Sequence, residues 1–438
     1  MADPRSAALT VLEKCRRSGA WSDAVLGSVM DAEGLKGPDR GLCTALCYGV
    51  IQQRSWLDYA LSSASNLPLH KVEPKVLDIL RISLYQLMFL RRVPAYAAVS
   101  EGVGLCRSLG YGRAAGYVNA VLRSLSRLEQ MPEPGGSGEE RLSIITSHPL
   151  WLVREMIARL GEEEAKAFLK ANNSIPPVCL QVNTLRITAE ALKSRLAEEG
   201  IGTEPDAFLP DCLNVSDPGD LRRCAAFQEG MFYVQDAAAK LSVLTAAPRA
   251  GERVLDLCAA PGGKSFAAAI AAGGGASIFA CDLHENKLKR IQASAARLGL
   301  SLETTAGDAR INRPEWNGGF DLVIADVPCS GLGVIRKKPD IRWKDPADFT
   351  ALPDIQSDIL RNAARYVRPG GRLLYTTCTV RREENEDVAG AFLDSAPDFA
   401  PLAFSTPFGD RSECGMLQLW PQRQGTDGFF ISLMRKNV

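Results

Sequence analysis

Between Pro4 and Glu129 the apolar positions recur at helical spacing. In PKVLDILRISLYQLMFL, residues Leu77, Leu80, Leu84 and Leu87 fall three or four apart, on one face of a helix. No stretch here alternates with the period of two that marks a strand, and Gly and Pro clusters punctuate short segments. The pattern predicts an all-α bundle over 1–130. It ends at MPEPGGSGEE (131–140), whose Pro, Gly and Glu predict a linker.

From about residue 141 the pattern changes. VCLQVNTL (178–185) and MFYVQD (231–236) are strand-like, and AEALKSRLAEEG (189–200) is an amphipathic helix. A small α+β module is predicted over 141–240. Beyond 251, apolar strands and helices alternate: RVLDLCA, SFAAAIAA, SIFACD, then ENKLKRIQASAARLG. Two more strands follow at FDLVIAD (320–326) and RLLYTTC (372–378). Such alternation predicts an α/β region at 241–438 with a doubly wound, Rossmann-like parallel sheet. Sheets of this kind bind ligands beyond the carboxyl ends of their strands.

The 438 residues are 46% hydrophobic and 23% charged, as in soluble globular proteins. No apolar run approaches the roughly 20 residues of a membrane helix. The first residues, MADPRSAALTVLEKC, lack the apolar core of a secretory signal. A cytoplasmic protein, acting as a monomer and not on a membrane, is the expectation. The 12 cysteines include no CxxC pair and read as reduced thiols, with Cys43 and Cys47 on one helix face. Only three histidines occur (His70, His148 and His284), so no metal site and no His-based triad is expected. Chemistry falls to Cys, Asp, Glu and Lys. Net charge is zero, but residues 1–130 hold 16 Lys and Arg against 11 Asp and Glu, leaving 35 against 40 elsewhere. A mildly basic front end suits either phosphate contact or an ordinary surface.

VLDLCAAPGGKS (254–265) reads as a strand, a tight loop and a helix start. Gly262 and Gly263 allow close backbone approach to a ligand. The loop nearly matches the phosphate-binding GxxxxGK[ST], but Cys258 stands at the first glycine position and Pro261 stiffens the turn. A methyl-donor site is the preferred reading, with a P-loop nucleotide hydrolase as competitor. Asp282 ends the next strand, placed either to accept ribose hydroxyls or to cap the following helix. Asp308, in AGDAR, either accepts from an adenine amino group or forms a turn.

FDLVIADVPCSG puts Asp326, Pro328 and Cys329 at one strand end, and LLYTTCTV puts Cys378 at another. In a parallel sheet both ends face one crevice. A lone strand-end cysteine is more often a small buried hydrophobe. A pair beside a carboxylate and a glycine loop suits methylation of a pyrimidine. Carbon 5 of cytosine is a poor nucleophile until a thiolate adds to carbon 6. Asp326 is placed to bind the N3/N4 edge of the base, and the second cysteine to help expel the enzyme. The target base must leave its stack. A non-catalytic RNA-binding protein is the third reading, in which replacing Cys378 changes nothing.

DLCAAPGGKS, DVPCSGLGVIRKKPDIRW and LLYTTCTVRREENEDV resemble the signature motifs of the Sun family of RNA cytosine-C5 methyltransferases. GMFYVQDAAAKL, SHPLWLV and DGFFISLM fit as well. DRGLCTALCYGVIQQ, LRISLYQLMFLRRVPAYAAVSE and YVNAVLRSL are similar to a NusB-like domain. The combination resembles bacterial members that act on small-subunit (16S) ribosomal RNA. The resemblance implies S-adenosylmethionine as cofactor, Cys378 as nucleophile and Cys329 as release cysteine. It implies that Cys258, Ala259, Ala260, Pro261, Gly262, Gly263 and Lys264 cradle the methionine part, Asp282 the ribose and Asp308 the adenine. Asp326 then lies between cofactor and base. The family pattern often has Ser after the catalytic cysteine, where this chain has Thr379. Arg336, Lys337 and Lys338 read as an RNA-phosphate contact or a solvated loop.

Overall fold

The computed structural model of the chain describes residues 3–131, 133–216 and 219–438. Met1 and Ala2 of the predicted bundle, Pro132 of the linker, and Asp217 and Pro218 of the module lie outside them. The chain forms two compact units, Met1–Ser174 with Ile335–Lys344, and Ile175–Val334 with Asp345–Val438.

The first unit is helical. Helix Pro4–Ser18 begins where the Asp3 carboxylate accepts from the Arg5 and Ser6 amides, and ends at left-handed Gly19. Helix Pro74–Phe89, capped by Glu73, carries the predicted leucines; Leu80 and Leu84 are fully buried, Leu77 and Leu87 partly. Cys43 and Cys47 lie on the buried face of helix Pro38–Gln52. The predicted linker is shorter than its composition suggests, because helix Gly138–Thr146 starts inside it. Ser137 accepts from the Glu140 amide and Glu140 accepts from the Ser137 amide, a reciprocal cap that satisfies two donors. The helices Gly138–Thr146, Leu150–Leu160 and Glu162–Ala171 belong to this unit. So does the segment 335–344, where fully buried Arg342 donates to the carbonyls of Gln52, Ser147 and Asn172 and to Asn173 Oδ1. Lys338 of the basic triplet pairs with Asp23 at 3.0 Å.

The second unit opens with a four-stranded antiparallel sheet, in the order Glu204–Pro205, Cys212–Val215, Val178–Val182, Phe232–Val234. Leu180, Val182, Leu213, Val215 and Phe232 pack there against Leu192 and Leu196 of helix Ala189–Glu198. The larger sheet has eight strands, numbered β1 (Arg253–Asp256), β2 (Ser277–Asp282), β3 (Glu303–Ala306), β4 (Phe320–Asp326), β5 (Val367–Thr377), β6 (Phe399–Pro401), β7 (Met416–Leu419) and β8 (Phe429–Lys436). Their order is β6-β8-β5-β4-β1-β2-β3, with β7 also on β8. β1 to β5 are parallel, as predicted. At one edge the sheet adds antiparallel strands: β8 runs antiparallel to β5, and β6 and β7 antiparallel to β8. The sheet is therefore mixed, since an antiparallel neighbour needs no crossover helix of fixed hand.

Successive strand residues separate onto opposite faces. Leu255, Val323, Ala325, Leu373 and Tyr375 pack with Ile359, Leu360 and Ala363 of helix Leu352–Tyr366. Val254, Leu322, Ile324 and Leu374 pack on the other face with Leu241, Ala267 and Ala268. Burial on both faces explains the near-continuous apolar runs. Among the described residues no helix is long and apolar enough to cross a membrane.

Candidate active site

The glycine loop leaves β1 and is pinned to its neighbours: the Leu257 amide donates to Ile324, and the Ala259 amide to Cys281. Gly262 has φ 109°, a left-handed value that L side chains rarely adopt. A Cβ there would meet the Phe266 ring at 2.5 Å, and one on Gly263 the Gln235 amide nitrogen at 2.7 Å. Gly262 is thus required by the turn as well as by space, while Gly263 leaves room for the Gln235 side chain. Helix Gly263–Ala271 follows at once. Behind the loop lies Asp256, which sequence reasoning missed although it ends β1 just as Asp282 ends β2. It is fully buried and accepts from Ser265 Oγ at 2.7 Å. Burial, aided by the charges of Asp326 and Asp282, pushes its carboxyl up to about 7 against the pull of Ser265 and Lys264.

Asp282 does not cap the next helix. The residue at the cap of Glu285–Leu298 is His284, with no side-chain cap bond. The Asp282 carboxylate instead accepts from the Ala260 amide in the glycine loop at 3.2 Å and from the His284 amide at 3.1 Å. It also pairs with Lys287 at 3.6 Å. It joins the loop to the end of β2. The Asp308 carboxylate accepts from the Arg310 amide and guanidinium, closest at 2.6 Å. The Arg310 hydrogen bond holds the Asp308 carboxyl below its usual range.

The two thiols come together. Cys329 follows β4, Cys378 follows β5, and their sulfurs are 3.4 Å apart, both half-buried. The hydrogen bond with Cys378, then burial, then the nearby charges of Cys378, Glu384 and Asp326, push the Cys329 thiol well up. Ser330 Oγ and Thr379 Oγ1, the next residue in each motif, are 2.7 Å apart. The Gly333 amide donates to the Cys378 carbonyl at 3.0 Å, and the Gly428 amide to the Gly333 carbonyl at 2.9 Å. A Cβ on Gly333 would fall 1.9 Å from the Gly428 oxygen, so this backbone sandwich admits glycine alone. Sequence reasoning missed it, though GLG after the Pro-Cys motif was the available signal.

Asp326 is engaged at both oxygens: Thr376 Oγ1 donates to Oδ1 at 2.9 Å, and Lys264 Nζ pairs with Oδ2 at 2.6 Å. Lys264 is buried and also lies over the Phe429 ring. This pairing weighs against the P-loop alternative, since the lysine that would reach a phosphate already neutralises a carboxylate. The charges of Asp256, Asp326 and Asp282 also help burial to push the Cys258 thiol well up. With its lysine paired to Asp326, the loop offers no free cation to a polyphosphate. The loop therefore fits a methyl donor better than a polyphosphate.

Comparison with known proteins gives the family. The family model "16S rRNA methyltransferase RsmB/F" matches residues 243–435. The NusB family model matches 2–127, and the ferredoxin-like domain of RsmF/B-like methyltransferases matches 148–222. "Probable ribosomal RNA small subunit methyltransferase B" of Bacillus subtilis (strain 168) is 38% identical over 99% of this chain and 98% of its own. The "Ribosomal RNA small subunit methyltransferase B" of Vibrio cholerae is 36% identical over 91% of this chain and 90% of its own. The solved structure of PH0851 superposes with a TM-score of 0.82 at 25% identity, covering 100% of this chain and 99% of that one. The chain belongs to the RsmB-like branch of the Sun family, 16S ribosomal RNA methyltransferases whose Rossmann-like domain follows a NusB domain and a ferredoxin-like module.

Proposed function

We propose that this rRNA methyltransferase modifies carbon 5 of a cytosine in small-subunit ribosomal RNA, with S-adenosylmethionine as donor. The observation that carries the reading is the pair of strand-end thiols, 3.4 Å apart beside Asp326. Cys378 attacks carbon 6 of the cytosine, which makes carbon 5 enamine-like. Asp326, its charge balanced by Lys264, holds the N3/N4 edge and stabilises the ring as the sulfur adds. The donor supplies an electrophilic methyl group. Cys258 to Lys264 would hold its methionine part, Asp282 its ribose and Asp308 its adenine. Water then takes the proton from carbon 5, and the electron pair of that bond re-forms the double bond to carbon 6 and expels the Cys378 sulfur as a thiolate. Cys329, kept protonated, hands its proton to the departing sulfur. The reaction is placed in the cytoplasm, carried out by one chain. Residues 1–130 and 141–240 serve as RNA-docking regions for the catalytic residues 241–438.

Methyl-labelled S-adenosylmethionine and unmodified small-subunit ribosomal RNA test this, with the product digested to nucleosides. Label in 5-methylcytidine is the expected result. Label in another nucleoside, or none together with ATP hydrolysis, overturns the reading.

A further inference from the structure

The release thiol sits on a loop, and a loop residue alone does not hold a sulfur to within tenths of an ångström. The backbone on both sides of Cys329 is clamped by two side chains from outside its own Pro-Cys loop. Glu384 is fully buried, and its Oε2 accepts from the Ser330 amide at 2.9 Å. That amide belongs to the peptide that follows Cys329. Gln356, also fully buried, donates its Nε2 to the Pro328 carbonyl at 2.9 Å, in the peptide that precedes Cys329. The same Nε2 donates to Glu384 Oε2 at 2.9 Å, so the clamp closes on itself. Tyr375 of β5 fixes its base, donating to the Glu384 carbonyl at 2.5 Å. Glu384 Oε1 has no hydrogen-bond partner among the described residues. Leaving a buried acceptor unmet is costly. The arrangement persists because Oε2 gathers two donors, one of them on the catalytic loop.

We infer that Glu384 and Gln356 are positioning residues that orient both peptides of Cys329 and so keep its thiol on the sulfur of Cys378 during release. This rests on the proposed reading of Cys329 as the release cysteine. The nucleophile is anchored separately, through the Gly333 amide and through Asn385, whose Nδ2 donates to the Thr379 carbonyl at 3.1 Å. Loosening the clamp should therefore slow release and spare attack.

The test compares wild type with Glu384→Gln and Gln356→Met, both close in volume to the native residue. Formation and decay of the denaturation-resistant protein–RNA adduct are followed separately in single-turnover reactions with labelled S-adenosylmethionine. Gln356→Met loses both donors and should slow adduct decay by about tenfold or more, with adduct formation changed less than about threefold. Glu384→Gln keeps an acceptor for the Ser330 amide and should decay at an intermediate rate. Wild-type decay in both variants, or equal loss of formation and decay, overturns the inference. If wild type itself forms no adduct, it is the proposed function that fails.

Discussion

Cys43 with Cys47, and Cys329 with Cys378, are both hydrogen-bonded thiol pairs. The first pair lies one turn apart on a helix and is fully sealed in the apolar core of the first unit. The hydrogen bond with Cys43 and burial hold the Cys47 thiol well up. The second pair sits where two parallel strands end, half-exposed, with Asp326, Glu384, Ser330 and Thr379 around it. Contact between sulfurs is common to both, so it confers no chemistry. Access for a base, and polar groups that orient the ring and the loops, separate a nucleophile from a small hydrophobe.

The largest effect should come from removing one sulfur of each pair. Cys378→Ala should lower methyl transfer by about a thousandfold or more, while Cys43→Ala leaves the rate as it is. Comparable losses in the two, measured with labelled donor, would erase the distinction. The carboxylates around the site come next. Asp256 has a folded pKa of about 7, above its ordinary 3.8. The fold thus favours its neutral form, and this contribution is present below about pH 4 and fades as pH rises through about 7. Wild type should lose on the order of 2–4 kcal/mol across that window from this group, and Asp256→Asn should lose none of it. Denaturant midpoints at stepped pH measure this; parallel curves for the two proteins would contradict it. Gly333→Ala should cost about a hundredfold in turnover by displacing the Cys378 carbonyl, with RNA binding kept. The smallest effect belongs to Cys47→Ala, about 1–2 kcal/mol of stability from the cavity, read by thermal melting, with activity unchanged.

Much of this was legible in the residues, for physical reasons. Helical periodicity marked Pro74–Phe89, and the apolar runs of β1, β2 and β4 marked strands buried on both faces. Periodicity does not encode strand direction, and the strand reading stops at residue 378, so the antiparallel β8 appears only in the structure. Composition hid the helix that starts at Gly138, though the Ser137 and Glu140 spacing of a reciprocal cap was there to read. At the site, the motif residues were visible one by one. Their pairings were not: nothing local says that Lys264 stands against Asp326. Asp308 is bound by Arg310, two residues on. The Lys264 pairing depends on which strand ends lie side by side, a long-range fact that no local window contains, whereas the Asp308 pairing is local.

The central claim is that the strand-end sulfurs divide attack from release. Its most direct test is the protein–RNA adduct that survives denaturation, measured for wild type, Cys378→Ala and Cys329→Ala with S-adenosylmethionine and unmodified small-subunit ribosomal RNA. No adduct with Cys378→Ala and accumulated adduct with Cys329→Ala is the predicted result. Adduct lost in Cys329→Ala but retained in Cys378→Ala would contradict the account and exchange the roles of the two sulfurs.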